Sequence, residues 1–175
     1  IANPPYVRAN NMDKKLRDRW QKSGEFETIS GKFDIYILFI EKAIKLLKNN
    51  GLLSYIVPYP VLSQNYAQLV RKYILQKCCI ESVYDISEIK VFDAVVSTCV
   101  LVIRCEANSK TRSSNIIQVR KSAVEYSEIR CWEIPQIFFE NTFQNMYRLN
   151  AVLGSDKISE RLWKVSKPFS DYCYI

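Results

Sequence analysis

Apolar positions along the first hundred residues fall into alternating helical and strand patterns. Between residues 33 and 51, apolar side chains recur at three- and four-residue spacing, and an Asn-Asn-Gly stop follows them. The recurring positions are Tyr36, Phe39, Ile40, Ala43, Ile44 and Leu47. This spacing predicts an amphipathic helix that buries one face against a sheet, and residues 61–76 show a second pattern of the same kind.

Short apolar runs around these helices predict strands. "LLSYIVP" at 52–58 ends at a proline, and the runs at 80–87 and 95–105 are rich in β-branched residues. The opening "IANPPY" is typical of the end of a further strand. This alternation predicts an α/β fold with a largely parallel sheet, whose last connection is too short for a crossover and is therefore antiparallel. The order corresponds to the C-terminal half of a doubly wound sheet.

The remaining segments are more polar. Residues 7–32 are irregular apart from a short helix expected near 13–21. Beyond Asn108, a turn-rich link precedes a further strand at 116–120 and a capped helix at 155–169. We therefore divide the chain into a sheet-forming part at 1–108 and a connector at 109–175.

Composition favours one globular domain and limits its chemistry. The chain has 175 residues, 48% of them hydrophobic, and no apolar run approaches the roughly 20 residues that span a bilayer. We expect a cytoplasmic protein with no membrane partner. The chain has no histidine, and its six cysteines lack paired C-x-x-C spacing. We therefore expect buried free thiols, no metal site, and no Ser/His or Cys/His nucleophile pair.

The charge of the chain favours an anionic partner, because the formal net charge is +7. Five cations fall within residues 14–22, with Trp20 between them. This segment predicts either a phosphate-contacting element with a stacking aromatic ring or a solvated charged helix face. Charge alone does not separate these two interpretations.

The tetrapeptide Asn3-Pro4-Pro5-Tyr6 is the main candidate for chemistry. Neither proline has a backbone N–H, so the corner presents oxygen acceptors. The Asn3 side-chain oxygen and the Pro4 carbonyl can accept both hydrogens of an exocyclic amino group, while Tyr6 offers a flat face to a planar ring. Drawing these hydrogens out of the ring plane would localise the nitrogen lone pair toward an electrophile. The alternative is a stiff turn that caps a strand, with Tyr6 as an ordinary rim residue.

Three stretches occur in the order found in one enzyme family. They are "NPPY" at 3–6, "GKFDIYILFIEKAIKLLKNNGLLSYIVP" at 31–58 and "VFDAVVSTCVLVIR" at 91–104. Together they resemble the gamma-type N6-adenine DNA methyltransferases, the TaqI-like group of restriction-modification systems. The resemblance covers about residues 1–105 and implies the C-terminal part of a Rossmann-like catalytic domain that depends on S-adenosylmethionine.

The resemblance also implies roles for individual residues. Asn3, Pro4 and Pro5 would form the corner that binds the target amino group, and Tyr6 would stack on an adenine rotated out of the duplex. Phe92 matches a second aromatic contact to that base, and Phe39 matches a position in the pocket for the cofactor's adenine ring. The alternative for both phenylalanines is a place in the core.

The family's glycine-rich cofactor loop precedes the amino-group corner and is not found in this sequence. The resemblance therefore implies that most of the S-adenosylmethionine site lies outside the chain and that the isolated chain is inactive. The expected partner is double-stranded DNA with a flipped adenine, and residues 167–175 resemble the entrance to a separate target-recognition domain. An open sheet edge would allow self-association.

Two other functions stay open at the level of the sequence. Similar proline corners serve methylation of guanine amino groups in RNA and of glutamine amides in proteins, although the basic segment and Phe92 favour a nucleic-acid base. The chain could also act as a non-catalytic DNA-binding or assembly module of a restriction subunit.

Overall fold

The computed structural model describes residues 1–89, 91, 96–123 and 128–150. The helices in these ranges are α1 (Lys14–Ser23), α2 (Ile35–Leu46), α3 (Gln68–Lys77), α4 (Ser109–Ser113) and α5 (Gln136–Glu140). The strands are β1 (Leu52–Pro58), β2 (Cys78–Asp85), β3 (Thr98–Cys105), β4 (Ile116–Ala123) and β5 (Glu128–Pro135). No described helix is both long enough and apolar enough to cross a bilayer.

The described strands form one five-stranded sheet in the order β1-β3-β2-β4-β5. β3 runs antiparallel to both β1 and β2, β4 runs parallel to β2, and β5 runs antiparallel to β4. The α/β class is confirmed, as is the antiparallel pairing of the strands predicted at 80–87 and 95–105. The prediction of a largely parallel sheet is wrong. β1 and β2 do share one direction, but β3 lies between them, so they do not pair with each other.

The opening residues lie beside β1, as expected for the end of a strand. Ala2 forms a parallel bridge with Tyr55. The Ala2 N–H donates to the Ser54 carbonyl at 3.1 Å, and the Ala2 carbonyl accepts from the Ile56 N–H at 3.2 Å. Because this bridge is parallel, Asn3 and the residues after it lie toward the carboxyl end of β1.

Helices α2 and α3 pack against each other and against the sheet. On α2, Tyr36, Ile40 and Ile44 are at most 4% exposed, which confirms the buried face that the apolar spacing predicted at these positions. The second predicted helix is shorter than its pattern. Its first residues form two 3-10 turns at Tyr59–Leu62 and Asn65–Ala67, and α3 begins only at Gln68.

Residues 116–150 extend the same sheet. β4 confirms the strand predicted at 116–120, whereas β5 and α5 were not predicted. Gln136, at the start of α5, is fully buried. It accepts a hydrogen bond from the Ile80 N–H at 2.8 Å and donates one to the Cys78 carbonyl at 2.9 Å, which joins α5 to the beginning of β2. The helix predicted at 155–169 lies outside the described residues, and the division at residue 108 stays a prediction.

A buried arginine joins the end of the described chain to the loop after β1. Arg71 is 0% exposed, and its guanidinium donates to the carbonyls of Val61 and Gln64 and to those of Gln144 and Asn145 at 2.8 to 3.1 Å. These carbonyl dipoles satisfy the donors of a buried cation. The contact fixes residues 144–145 next to the carboxyl end of β1.

Cys78, Cys79 and Cys99 are buried free thiols, as predicted, whereas Cys105 is only partly buried and Cys131 is exposed. Burial raises the pKa of the Cys78 thiol to about 12, so this group stays protonated at neutral pH. The buried thiols therefore act as small apolar side chains of the core. Cys173 lies outside the described residues.

Candidate active site

The corner formed by residues 3–6 turns away from the sheet at the carboxyl end of β1. Pro4 is buried, whereas Asn3 and Pro5 are exposed. Within the described part of the chain, the Asn3 amide makes no hydrogen bond. Its oxygen is therefore accessible to a ligand, and burial of Pro4 fixes the backbone beside it.

Tyr6 is anchored at both its hydroxyl and its ring. The hydroxyl donates to the Ile56 carbonyl of β1 at 2.9 Å. The ring meets Tyr36 of α2 edge-on, with the centroids 6.5 Å apart and the planes at 83°. Burial, and then the neighbouring Cys99 thiol, raises the pKa of Tyr6 to about 12. The phenol is thus a fixed hydrogen-bond donor, and it is not an acid at neutral pH.

Tyr36, which contacts the Tyr6 ring, is itself held by a third tyrosine, Tyr66. The hydroxyls of Tyr36 and Tyr66 are 3.1 Å apart, and Tyr36 is fully buried. Burial raises the pKa of Tyr66 to about 12. The apolar spacing predicts only that Tyr36 lies on the buried face of the helix. Its hydroxyl could not be assigned a partner from the sequence, because Tyr66 lies 30 residues away.

Phe39 lies near the corner and is not a core residue. Its side chain is 45% exposed, which contradicts its assignment to the buried face of the helix. Ile35, four residues earlier on α2, donates its N–H to the Val7 carbonyl at 3.0 Å. Four helical residues rise about 6 Å, so Phe39 lies one turn from the segment that follows Tyr6. Phe92 lies outside the described residues, and its predicted role stays a prediction.

The basic segment forms α1, which confirms the short helix predicted there. The Asp13 side chain accepts a hydrogen bond from the Leu16 N–H, and Gly24 ends the helix with a left-handed conformation at φ 67°. No residue of α1 is buried, but Trp20 packs against the edge of the core. Trp20 therefore anchors the helix, and its predicted stacking role is not needed to explain its position.

A buried carboxylate fixes the return from α1 to α2. Glu41 is 0% exposed and accepts hydrogen bonds from the N–H groups of Glu27 and Thr28 at 2.9 Å and from the Thr28 hydroxyl at 2.6 Å. Lys45, one turn along α2, pairs with it at 2.6 Å. Burial by itself would raise the pKa of Glu41, but these donors outweigh it and hold the pKa below 4.5. The hydrophobic pattern of the chain gives no indication of this role of Glu41.

Comparisons with known proteins agree with the sequence resemblance. Residues 1–92 match the Eco57I restriction-modification methylase family. The type II methyltransferase M.AccI of Acinetobacter calcoaceticus is 29% identical over 119 residues, which are 66% of this chain and 22% of that protein. The type II restriction enzyme and methyltransferase RM.Eco57I of Escherichia coli is 23% identical over 175 residues, which are 98% of this chain and 16% of that protein. The chain thus spans less than a quarter of the length of these curated relatives.

Solved structures share the fold. The type IIG restriction endonuclease BpuSI superposes with a TM-score of 0.62 at 15% identity, covering 92% of this chain and 21% of that one. A chain from a type I restriction-modification system superposes with a TM-score of 0.60 at 13% identity, covering 93% and 40%. The family match includes the corner, α1, α2, β1, α3 and β2. The chain therefore belongs to the Eco57I restriction-modification methylase family.

Proposed function

We propose that the protein containing this chain transfers a methyl group from S-adenosylmethionine to the N6 atom of adenine in DNA, within a restriction-modification system. Family membership supports methyl transfer in general. The observation that carries the specific proposal is the corner itself, in which an exposed Asn3 amide lies three residues from a Tyr6 ring held by two partners. The chain supplies the acceptor side of this reaction.

Asn3 and Pro4 bind the target amino group. The Asn3 side-chain oxygen and the Pro4 carbonyl each accept one hydrogen of the adenine N6 amine. In free adenine the nitrogen lone pair is delocalised into the ring, so the amine is a weak nucleophile. Two acceptors on this corner favour a pyramidal nitrogen whose lone pair points away from the ring, and no histidine is required for this activation.

Tyr6 and Phe92 hold the ring of the target base. Taking a base out of the duplex costs a few kcal/mol, and each aromatic stacking contact returns about 1 to 3 kcal/mol. Because the Tyr6 hydroxyl is bonded to Ile56 and its ring meets Tyr36, the orientation of its face is set before the base arrives. Phe92 belongs to the segment between β2 and β3 and supplies the second contact in this proposal.

S-adenosylmethionine would contact this chain at Phe39. S-adenosylmethionine supplies an electrophilic methyl group on a sulfonium centre when it is bound. A half-exposed phenylalanine one helical turn from the corner fits an aromatic contact to its adenine ring. The chain spans only 16% to 22% of the relatives described above, so we propose that the rest of the donor site and the sequence-reading part lie elsewhere in the whole protein. We expect the isolated chain to be inactive.

Product analysis of the whole protein tests this proposal. The protein is incubated with labelled S-adenosylmethionine and DNA, RNA or protein, and the labelled product is digested and separated. We expect N6-methyladenine from DNA. Label in RNA guanine or in protein glutamine would instead assign the acceptor to one of the alternative substrates. Salt-sensitive DNA binding without any methyl transfer would favour a non-catalytic module.

A further inference from the structure

We propose that one face of α1, formed by Lys15, Arg19 and Lys22, binds the phosphates of the DNA strand beside the target adenine. This inference rests on the proposed function, since it assigns a second contact to the same substrate. It concerns a surface outside the corner, and it predicts a contribution to affinity that does not depend on base sequence.

The first observation is an excess of unpaired charge on an exposed helix. α1 has five cations and a single carboxylate, and none of its residues is buried. Arg17 has a carboxylate 4.0 Å away in Asp18. The other four cations form no ion pair within the part of the chain that the structure describes. A fixed cluster of cations without internal partners is complementary to a polyanion.

The second observation is the arrangement of these cations on the helix. Lys15, Arg19 and Lys22 are separated by four and three residues, so they lie on the same side of α1. Trp20 lies about 100° to 160° around the helix axis from these cations and packs against the core. The three cations span about 10 Å along the helix axis, which matches the axial rise of about three phosphates of one DNA strand.

The third observation is that the segment carrying α1 begins and ends beside the corner. Residues 8–34 form an excursion whose two ends meet, because the Ile35 N–H donates to the Val7 carbonyl at 3.0 Å. Val7 directly follows Tyr6. The excursion is fixed a second time where Glu27 and Thr28 donate to Glu41. The basic face therefore lies on a segment that is fixed at both ends and ordered in advance, which lowers the entropic cost of the contact.

The salt dependence of DNA binding tests the proposal. Binding of the whole protein to a duplex of unselected sequence is measured by fluorescence anisotropy over a range of KCl concentrations. Each phosphate contact contributes about 0.9 to the slope of log K against log salt, so a Lys15→Gln, Arg19→Gln, Lys22→Gln variant should lower the slope by about 2 to 3. The matched control is Lys48→Gln, Lys77→Gln, Lys110→Gln, which removes three exposed lysines that precede β1, precede β2 and follow β3, at the end of these strands opposite the corner. The control should keep the wild-type slope.

Two outcomes would overturn the inference. An unchanged slope in the α1 variant would show that this face of α1 does not contact phosphates. An equal decrease of the slope in both variants would show that the effect comes from net charge and not from this face. A variant that keeps its DNA slope but loses binding to polyglutamate would assign the face to an acidic protein. Wild-type methylation of DNA in the same preparation separates these results from failure of the proposed function, in which no DNA is methylated by the wild-type protein.

Discussion

Asn3 and Tyr6 lie three residues apart, but only the side chain of Tyr6 is held by contacts with other described residues. The Asn3 amide is exposed, whereas Tyr6 is held by the Ile56 carbonyl and by the edge of Tyr36. The acceptor-rich corner could be predicted from the sequence, because prolines lack a donor wherever they fold. The partners of Tyr6 could not, since Ile56 lies 50 residues away and only the fold brings it near.

Substitutions at Tyr6 should separate anchoring from stacking. Tyr6→Phe keeps the ring and removes one partly buried hydrogen bond, so we expect a loss of about 1 kcal/mol in the free energy of unfolding. Tyr6→Ala also removes the stacking face, worth about 1 to 3 kcal/mol, so kcat/KM for DNA methylation should fall roughly 5- to 150-fold further. Urea unfolding and steady-state kinetics of the whole protein measure the two effects. Equal kcat/KM values for the two variants would contradict stacking by Tyr6.

Exposure of Phe39 makes its contribution to the cofactor site measurable. Because the side chain is 45% exposed, Phe39→Ala should cost far less stability than the roughly 3 to 5 kcal/mol of a core phenylalanine. We expect weaker S-adenosylmethionine binding by the whole protein, measured by calorimetry. Leu46→Ala, at a residue 74% exposed near the end of the same helix, is the control and should bind normally. Unchanged affinity in Phe39→Ala would remove this residue from the cofactor site.

Among the secondary-structure elements, α1 could be predicted from the local sequence, whereas the way residues 8–34 fold back onto α2 could not. Asp13 and the cationic residues after it predicted α1, because a side-chain cap and helix-forming residues act locally. The closure of the excursion could not be predicted. It depends on Glu41, which looks in the sequence like a polar residue on a solvated face. Its partners Glu27 and Thr28 are 14 and 13 residues away.

Acid should weaken the contact between Glu41 and residues 27–28, which closes the segment at residues 8–34. The folded state holds the pKa of Glu41 below 4.5, so its stabilising effect is present at neutral pH and is lost as the pH falls from 4.5 through the folded value. Hydrogen exchange at the amides of Glu27 and Thr28 should therefore become faster, relative to core amides, below this pH. Exchange that accelerates equally throughout the protein would contradict a local effect of Glu41.

Glu41→Gln should reproduce the effect at neutral pH. Loss of charge-assisted hydrogen bonds predicts a decrease of about 1 to 3 kcal/mol in the stability of the closure. Lys42→Gln is a suitable control, because its ion pair with Glu25 at 3.4 Å is exposed on both sides and contributes at most about 1 kcal/mol.

For the molecule as a whole, the sequence predicted the positions of the strands better than their order in the sheet. Apolar runs placed β1, β2 and β3 within a few residues, since burial of a strand leaves a local pattern. Strand order leaves no such pattern. Insertion of β3 between β1 and β2 replaced the expected parallel pairing with two antiparallel ones.

The later part of the chain depends even more on long-range contacts. Gln136 joins α5 to the beginning of β2, and Arg71 fixes the segment after α5 by hydrogen bonds to residues 73 and 74 positions away. Buried polar residues such as these do not follow apolar periodicity.

The rate of N6-methyladenine formation by the whole protein carrying Asn3→Ala measures what the acceptor corner contributes to methyl transfer. Because Asn3 is exposed and makes no hydrogen bond with the described residues, the substitution should leave thermal unfolding unchanged. Loss of a preorganised polar contact to the reacting group should lower kcat at least about 100-fold. Asn10→Ala, at an exposed asparagine just past the corner, should keep the wild-type rate. A kcat for Asn3→Ala equal to that of Asn10→Ala would contradict the account.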